Sequence, residues 1–144
     1  MSLYIDTSCL VKLLVTEPES AGTDMIVTAE DKVIISSLTR LETLIQVQAW
    51  FQARLLTKNG AARLLDLLNT LLQKSPYELR PCLPSLMKDA EEQIQPITSS
   101  TYCRTLDRLH LATMTAFGLK RLLTNDDTQA RAARAIGLRV IMPR

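Results

Sequence analysis

The chain is poor in the residues that cross-link or anchor a protein. Its 144 residues include three cysteines, Cys9, Cys82 and Cys103, an odd number at wide spacings with no Cys-x-x-Cys pair. That pattern argues against a disulfide framework and against a zinc site. His110 is the only histidine, so no histidine cluster suggests zinc either. No apolar run approaches the roughly 18 residues that a membrane helix needs. The opening Met1-Ser2-Leu3-Tyr4-Ile5-Asp6 lacks the charged region and long apolar stretch of a secretory signal. These absences predict a reduced, soluble, cytoplasmic protein with no membrane association. Internal repeats, low-complexity tracts and linkers are also missing, which predicts a single domain over residues 1–144. The formal net charge is only +2. That is too mild to identify nucleic-acid binding by itself, although a balanced total can hide a local basic rim.

What is present is the material of a globular core. Apolar residues make up 47% and charged residues 22%, the balance of an ordinary soluble domain. Short apolar runs at Leu3-Tyr4-Ile5, Val33-Ile34-Ile35, Tyr77 to Arg80, Arg121 to Thr124 and Val140-Ile141-Met142 read as five strands. Between them lie helical patterns. One follows Asp6, with Thr7-Ser8 as a cap, and another spans Ala21 to Ala29 with Met25 and Ile26 inward. A long helix from about Leu38 to Thr57 repeats Leu41, Leu44, Val47, Phe51 and Leu55 at helical spacing. Asn59-Gly60 breaks it before a leucine-rich helix over Ala61 to Leu72, and the two form a hairpin. Further helices are expected over Ser85 to Gln93, from near Arg104 to Gly118, and from Asp127 to Gly137, with a loop over residues 96–103. Strands that alternate with helices imply βαβ units, hence an α/β fold on a parallel sheet.

In such sheets the functional crevice lies at the carboxyl ends of the strands. Asp6 ends the first strand and Asp126 follows the fourth almost at once. Glu42 lies early in the helix after the second strand, and Asp107 in the first turn of the helix before the fourth. All four acids can reach one edge. Asp107 is the most telling, because it is embedded among Leu106, Leu109, Leu111, Ala112 and Met114. A buried carboxylate is costly without a compensating cation, which could be a metal ion or Arg104 or Arg108. Each acid also has a structural reading. Glu42 would complete a capping box with Thr39. Asp107 would complement its helix dipole. Asp126 and Asp127 would be turn and cap residues, and Asp6 would cap the following helix. Taken one at a time those readings suffice; they explain less well why four acids gather where such folds bind ligands. Gathered carboxylates raise one another's pKa, and a hard divalent cation, Mg²⁺ or Mn²⁺, relieves that conflict through all-oxygen ligation. His110 could face that site or the core, and packing is the simpler reading.

Four segments in order resemble the PIN-domain family, and within it the small VapC-type toxins. Tyr4-Ile5-Asp6-Thr7-Ser8 is similar to the family's opening strand and first acid, and Leu41-Glu42 stands where its second acid falls. Leu106-Asp107-Arg108-Leu109-His110-Leu111-Ala112 is similar to its third motif. Leu123-Thr124-Asn125-Asp126, followed by Ala130, Ala132, Ala133 and Gly137, is similar to its closing one. The resemblance spans essentially the whole chain. It implies a three-layer α/β/α arrangement around a parallel sheet of about five strands, ordered 3-2-1-4-5, with a helical hairpin. It implies an endoribonuclease for single-stranded RNA in which Asp6, Glu42, Asp107 and Asp126 hold Mg²⁺ or Mn²⁺ directly or through water. Thr7 and Thr124 would support the acids, and Arg40, Arg104 and Arg108 would hold RNA phosphate or stand as solvated surface charges. It further implies a type II toxin whose cognate antitoxin docks a segment on the site, and a homodimer; the leucine-rich hairpin of residues 38–72 is a candidate antitoxin groove, although plain core packing accounts for much of the same leucine pattern. Asp127 beside Asp126 leaves open which one faces the metal, and motif phase favours Asp126.

Competing readings fare worse. A haloacid-dehalogenase-like phosphatase needs a second aspartate two residues after Asp6, where Ser8 stands. A receiver domain needs an aspartate after the third strand and a lysine after the fifth, and neither is visible. A PIN scaffold that binds RNA or protein without cutting remains the alternative; loss of an acid would mark it, and all four are present.

Overall fold

In the computed structural model, residues 2–94 and 102–144 are described. Five parallel strands, β1 (Ser2–Ile5), β2 (Lys32–Ser36), β3 (Tyr77–Arg80), β4 (Arg121–Leu123) and β5 (Arg139–Ile141), form one sheet in the order β3-β2-β1-β4-β5. The order and direction are those expected. Alternate residues of each strand feed opposite faces. Leu3 and Ile5 of β1, Val33 and Ile35 of β2 and Leu123 of β4 pack on one side with Cys9, Leu10, Val27 and Leu68. These come from helices α1 (Thr7–Leu14), α2 (Ser20–Thr28) and α4 (Lys58–Leu71). Tyr4, Ile34 and Leu122 face the other side, against Leu111 and Met114 of α6 (Thr105–Ala116) and Ala132 and Ala133 of α7 (Asp127–Ala135). Burial on both faces explains why the strands read as continuous apolar runs. It also makes three layers.

The helical hairpin consists of α3 (Ser37–Gln52) and α4, and α5 (Leu86–Gln93) follows β3. Two expectations fail here. Asn59-Gly60 does not break the helix. The chain turns earlier, after Gln52, where Arg54 adopts a positive φ of 60°. Thr57 then caps α4 by accepting from the Gly60 amide at 2.9 Å, so Asn59 and Gly60 lie inside its first turn. A hydroxyl cap outweighs the helix-breaking tendency of that pair. The apolar stripe assigned to α3 is also rotated. Leu41, Phe51 and Leu55 are exposed, and the buried face is Thr39, Thr43 and Val47. The threonines satisfy their own hydroxyls, Thr43 donating to the Thr39 carbonyl at 2.8 Å and Thr39 to the Ile5 carbonyl at 3.3 Å. A helix can therefore bury a polar stripe that hydropathy alone reads as surface. Likewise Met25 of α2 points outward, at 73% exposure, while Thr23 and Val27 are buried.

The remaining boundaries agree within a residue or two. Gly118 and Gly137 end α6 and α7 at φ of 73° and 86°, where a side chain would be strained. Most of the loop expected over residues 96–103 lies outside the described residues. No helix among the described residues is long and apolar enough to cross a membrane.

Candidate active site

Because β1 and β4 are adjacent and parallel, their carboxyl ends deliver Asp6 and Thr124 side by side. Asp6 is buried and caps α1. Its Oδ1 accepts from Ser8 Oγ at 2.7 Å and from the Cys9 amide at 3.3 Å, and its Oδ2 accepts from Thr124 Oγ1 at 2.5 Å. Burial pushes the Asp6 pKa up, and those donors pull against the shift without reversing it. Thr124 Oγ1 in turn accepts from the Asp126 amide at 3.1 Å, so one buried hydroxyl ties two of the acidic segments together.

Asp126 caps α7, with both cap bonds, from Thr128 and Gln129 amides at 2.8 and 3.1 Å, ending on Oδ1. The capping readings of Asp6 and Asp126 are therefore correct, and a cap leaves the second carboxylate oxygen of Asp126 outside those bonds. Asp127 is different. Its side chain is 79% exposed and pairs with Arg144 at 3.1 Å. The charge of Asp126, by contrast, acts on Asp107. Asp126, and not Asp127, is thus the acid of this pair whose charge reaches Asp107.

Asp107 stands in the first turn of α6, half-buried. Its Oδ2 is buried and accepts no hydrogen bond, and the nearest cation, Arg104 Nε, is 3.9 Å away on an exposed side chain. Burial raises the Asp107 pKa first, the neighbouring Asp126 raises it further, and Glu42 adds a little more. An orphaned carboxylate oxygen under acidic neighbours is what the sequence predicts for a cation ligand.

Glu42 departs from expectation. It does not close a capping box, because Ser36 caps α3 by accepting from the Thr39 amide at 3.1 Å. Glu42 Oε1 instead accepts from Thr7 Oγ1 at 3.0 Å and lies in hydrogen-bond contact with His110 Nε2. Burial opposes the Glu42 carboxylate, but His110 and Thr7 outweigh it, so its pKa is lowered rather than raised. The mutual elevation expected of all four acids therefore holds for Asp107, while Asp6 rises through burial and Glu42 falls.

His110 is the residue that sequence reasoning undervalued. It is buried, as packing requires, yet its two ring nitrogens bridge Glu42 and the Tyr4 hydroxyl, the latter at 2.7 Å. The signal was present: His110 is three residues after Asp107 and so shares its helix face. Tyr4 sits in an otherwise apolar strand, where a buried hydroxyl must find a partner.

The arginines divide. Arg104 is exposed and lines, with Glu42, Thr105, Leu106 and Asp107, an open cleft of about 610 Å³. Arg40 donates to Asn69 Oδ1 at 2.9 Å, bracing α3 against α4. Arg108 is not a solvated surface charge, being 6% exposed and donating to Gln93 Oε1 at 3.3 Å.

Among the described residues no three His, Cys, Asp or Glu side chains converge closely enough to hold a metal ion. Glu42, Asp6 and Asp126 each have an oxygen engaged by protein donors. The donor set still suits a hard divalent cation, since every candidate ligand is a carboxylate oxygen and Asp107 Oδ2 lacks any hydrogen bond.

The chain is 31% identical over 154 residues to Ribonuclease VapC46 of Mycobacterium tuberculosis, with 99% of this chain and 98% of that protein covered. Its fold is similar to that of VapBC2 from Rickettsia felis bound to a promoter DNA fragment, with a TM-score of 0.72 and 16% identity over 99% of this chain and 98% of the other. It is also similar to a toxin-antitoxin complex from Klebsiella pneumoniae, with a TM-score of 0.63 and 16% identity over 100% and 98%. The family model described as PIN domain matches residues 3–135, and the chain belongs to the PIN domain family.

Proposed function

We propose that this protein is a metal-dependent endoribonuclease that cleaves single-stranded RNA, acting as the toxin of a type II toxin–antitoxin pair. The observation that carries the reading is the buried Oδ2 of Asp107, which accepts no hydrogen bond, on a carboxyl that feels the charges of Asp126 and Glu42. Full-length likeness to a protein named as a ribonuclease supports it.

Asp6, Glu42, Asp107 and Asp126 would hold Mg²⁺ or Mn²⁺, directly or through water. A cation there supplies acidification of the attacking water and neutralisation of charge developing on the phosphate. The chain's own groups prepare the site. Thr124 and Ser8 hold the Asp6 carboxylate in one orientation, and Thr7 does the same for Glu42. Arg104, exposed on the rim of the cleft, is placed to hold an RNA phosphate. Arg40 and Arg108 serve the fold instead, through Asn69 and Gln93.

An antitoxin and a second copy of the chain are the expected partners. The hairpin offers an apolar cavity of about 450 Å³ lined by Val15, Trp50, Leu55, Leu56, Leu64 and Leu67, suited to an apolar helix or strand of an antitoxin. A specific observation favours the alternative of a non-cutting scaffold, namely that no three ligands converge among the described residues. Incubation of the purified protein with a mixed single-stranded RNA pool in Mg²⁺ or Mn²⁺ decides between them. Cleavage abolished by both EDTA and Asp6→Asn establishes the nuclease. RNA retention without cleavage, unchanged by EDTA, establishes the scaffold.

A further inference from the structure

We propose that Tyr4 and His110 act as a positioning pair that fixes the orientation of Glu42 through a directed chain of hydrogen bonds, Ser36 to Tyr4 to His110 to Glu42. The inference rests on the reading of Glu42 as a cation ligand and adds the device that holds it.

The direction of the chain follows from counting protons. A carboxylate only accepts, so His110 Nε2 must carry the hydrogen it shares with Glu42 Oε1. A neutral ring with Nε2–H has Nδ1 free to accept, and the Tyr4 hydroxyl lies 2.7 Å from Nδ1. Tyr4 Oη has one proton and gives it there. Its lone pairs are then served by Ser36 Oγ at 2.8 Å. Ser36 has that proton to give. Its oxygen already accepts from the Thr39 amide at 3.1 Å, and the Thr39 hydroxyl proton is directed at the Ile5 carbonyl at 3.3 Å. Each proton in the set then has an acceptor in a consistent sense, and Thr39 Oγ1, 3.4 Å from Tyr4 Oη and 3.2 Å from Ser36 Oγ, closes the hydroxyl cluster at its start. One tautomer of His110 results, selected by Tyr4.

The surroundings favour a rigid arrangement. Tyr4 is fully buried in the core face of β1 with Leu111, Met114 and Leu122, and its ring meets the His110 imidazole edge-on at 5.8 Å between centroids. A hydroxyl in that apolar layer is costly unless bonded, which gives it a purpose that phenylalanine would not serve. At the far end, His110 and Thr7 both bond Oε1 of Glu42. Neither bond involves Oε2, and Glu42 lines the cleft beside Asp107. Fixing one oxygen removes the torsional freedom of a long side chain and leaves the other for a ligand. This is the same principle by which outer-shell partners orient metal-binding groups.

The chain's single histidine makes the test direct. Long-range proton–nitrogen correlation spectra of protein labelled with ¹⁵N-histidine report both ring nitrogens without assignment ambiguity. The metal-free wild type is expected to show Nε2 protonated and Nδ1 unprotonated, and Tyr4→Phe is expected to lose that single tautomer. Calorimetric Mn²⁺ titrations then compare His110→Gln, whose amide nitrogen overlays Nε2, with His110→Asn, whose amide overlays Nδ1. His110→Gln should keep most of the affinity, while His110→Asn and Tyr4→Phe should weaken Mn²⁺ binding by about 10-fold or more. Circular dichroism confirms that each variant is folded, and the wild-type spectrum needs no variant. Protonation of Nδ1 in the wild type, an unchanged tautomer in Tyr4→Phe, or equal affinities for the two His110 variants would each overturn the proposal. Should the wild type bind no Mn²⁺ at all, the cation reading fails, and the tautomer with its response to Tyr4→Phe still decides whether the pair orients Glu42.

Discussion

Asp107→Asn should make the metal-free protein more stable while removing its response to metal. The substitution keeps the shape of the side chain and deletes its charge. In the native protein that charge has a buried Oδ2 with no hydrogen bond, and Arg104 at 3.9 Å is too exposed to offset it appreciably. Leaving a buried polar atom unsatisfied costs about 1–3 kcal/mol, and more for a charged one. An amide at the same place still lacks partners, so only part of that cost is recovered, about 1 kcal/mol. For a chain of this size that corresponds to a rise in Tm of about 2–4 °C. The pH dependence has a definite sign. Burial and Asp126 raise the folded pKa of Asp107. A raised folded pKa gives stability that is present below the unfolded pKa and lost as pH rises through the folded value. The gain from Asp107→Asn should therefore be full at neutral pH and shrink as pH falls into the carboxylate range, where wild-type Asp107 becomes neutral as well. Mn²⁺ at 100 times its Kd should reverse the ranking, since such binding stabilises the wild type by about 2.7 kcal/mol. Thermal melts of both proteins in EDTA and in Mn²⁺, at several pH values, provide the assay. A lower Tm for Asp107→Asn in EDTA at neutral pH, or an equal Mn²⁺ response in both proteins, would refute the reasoning.

Other outcomes follow from the same geometry. Thr124→Val removes the donor to Asp6 Oδ2 and the acceptor for the Asp126 amide; it should cost about 1–3 kcal/mol in denaturant titrations and reduce RNA cleavage, whereas Thr124→Ser should restore most of both. Leu68→Ala, at a position 1% exposed in the core between α4 and the sheet, should destabilise the fold by about 2–5 kcal/mol, measured as a lower urea midpoint. Arg104→Ala should weaken RNA binding and lessen the slope of log affinity against log salt by about 0.7, as expected for one phosphate contact to a single strand, with Tm nearly unchanged. Arg108→Ala should do the opposite, lowering Tm because the arginine is buried against Gln93, while the salt slope stays the same.

The sequence by itself determined the sheet and the edge on which the acids lie. Uninterrupted β-branched runs such as Val33-Ile34-Ile35, set between helical patterns, read as strands buried on both faces, and an acid directly after such a strand emerges at its carboxyl end. The positions of Asp6 and Asp126 were legible for that reason. The strand order came from the family resemblance and was met. Tertiary structure decided everything that depends on the rotation of a helix or on partners distant in sequence. α3 buries Thr39 and Thr43 because their hydroxyls find backbone carbonyls that no hydropathy pattern records. The hairpin turns at Arg54 because Thr57 caps the next helix, overriding the Asn59-Gly60 signal. Arg108 is buried although Arg104, one turn earlier, is exposed, since Arg104 is the N-cap of α6 with extended backbone and its side chain does not follow the helical face that Arg108 occupies. Above all, Tyr4 and His110 lie 106 residues apart, and Glu42 lies 68 from His110. A hydrogen bond requires its partners within about 3 Å, and only the packing of α3 and α6 across β1 brings them to that range.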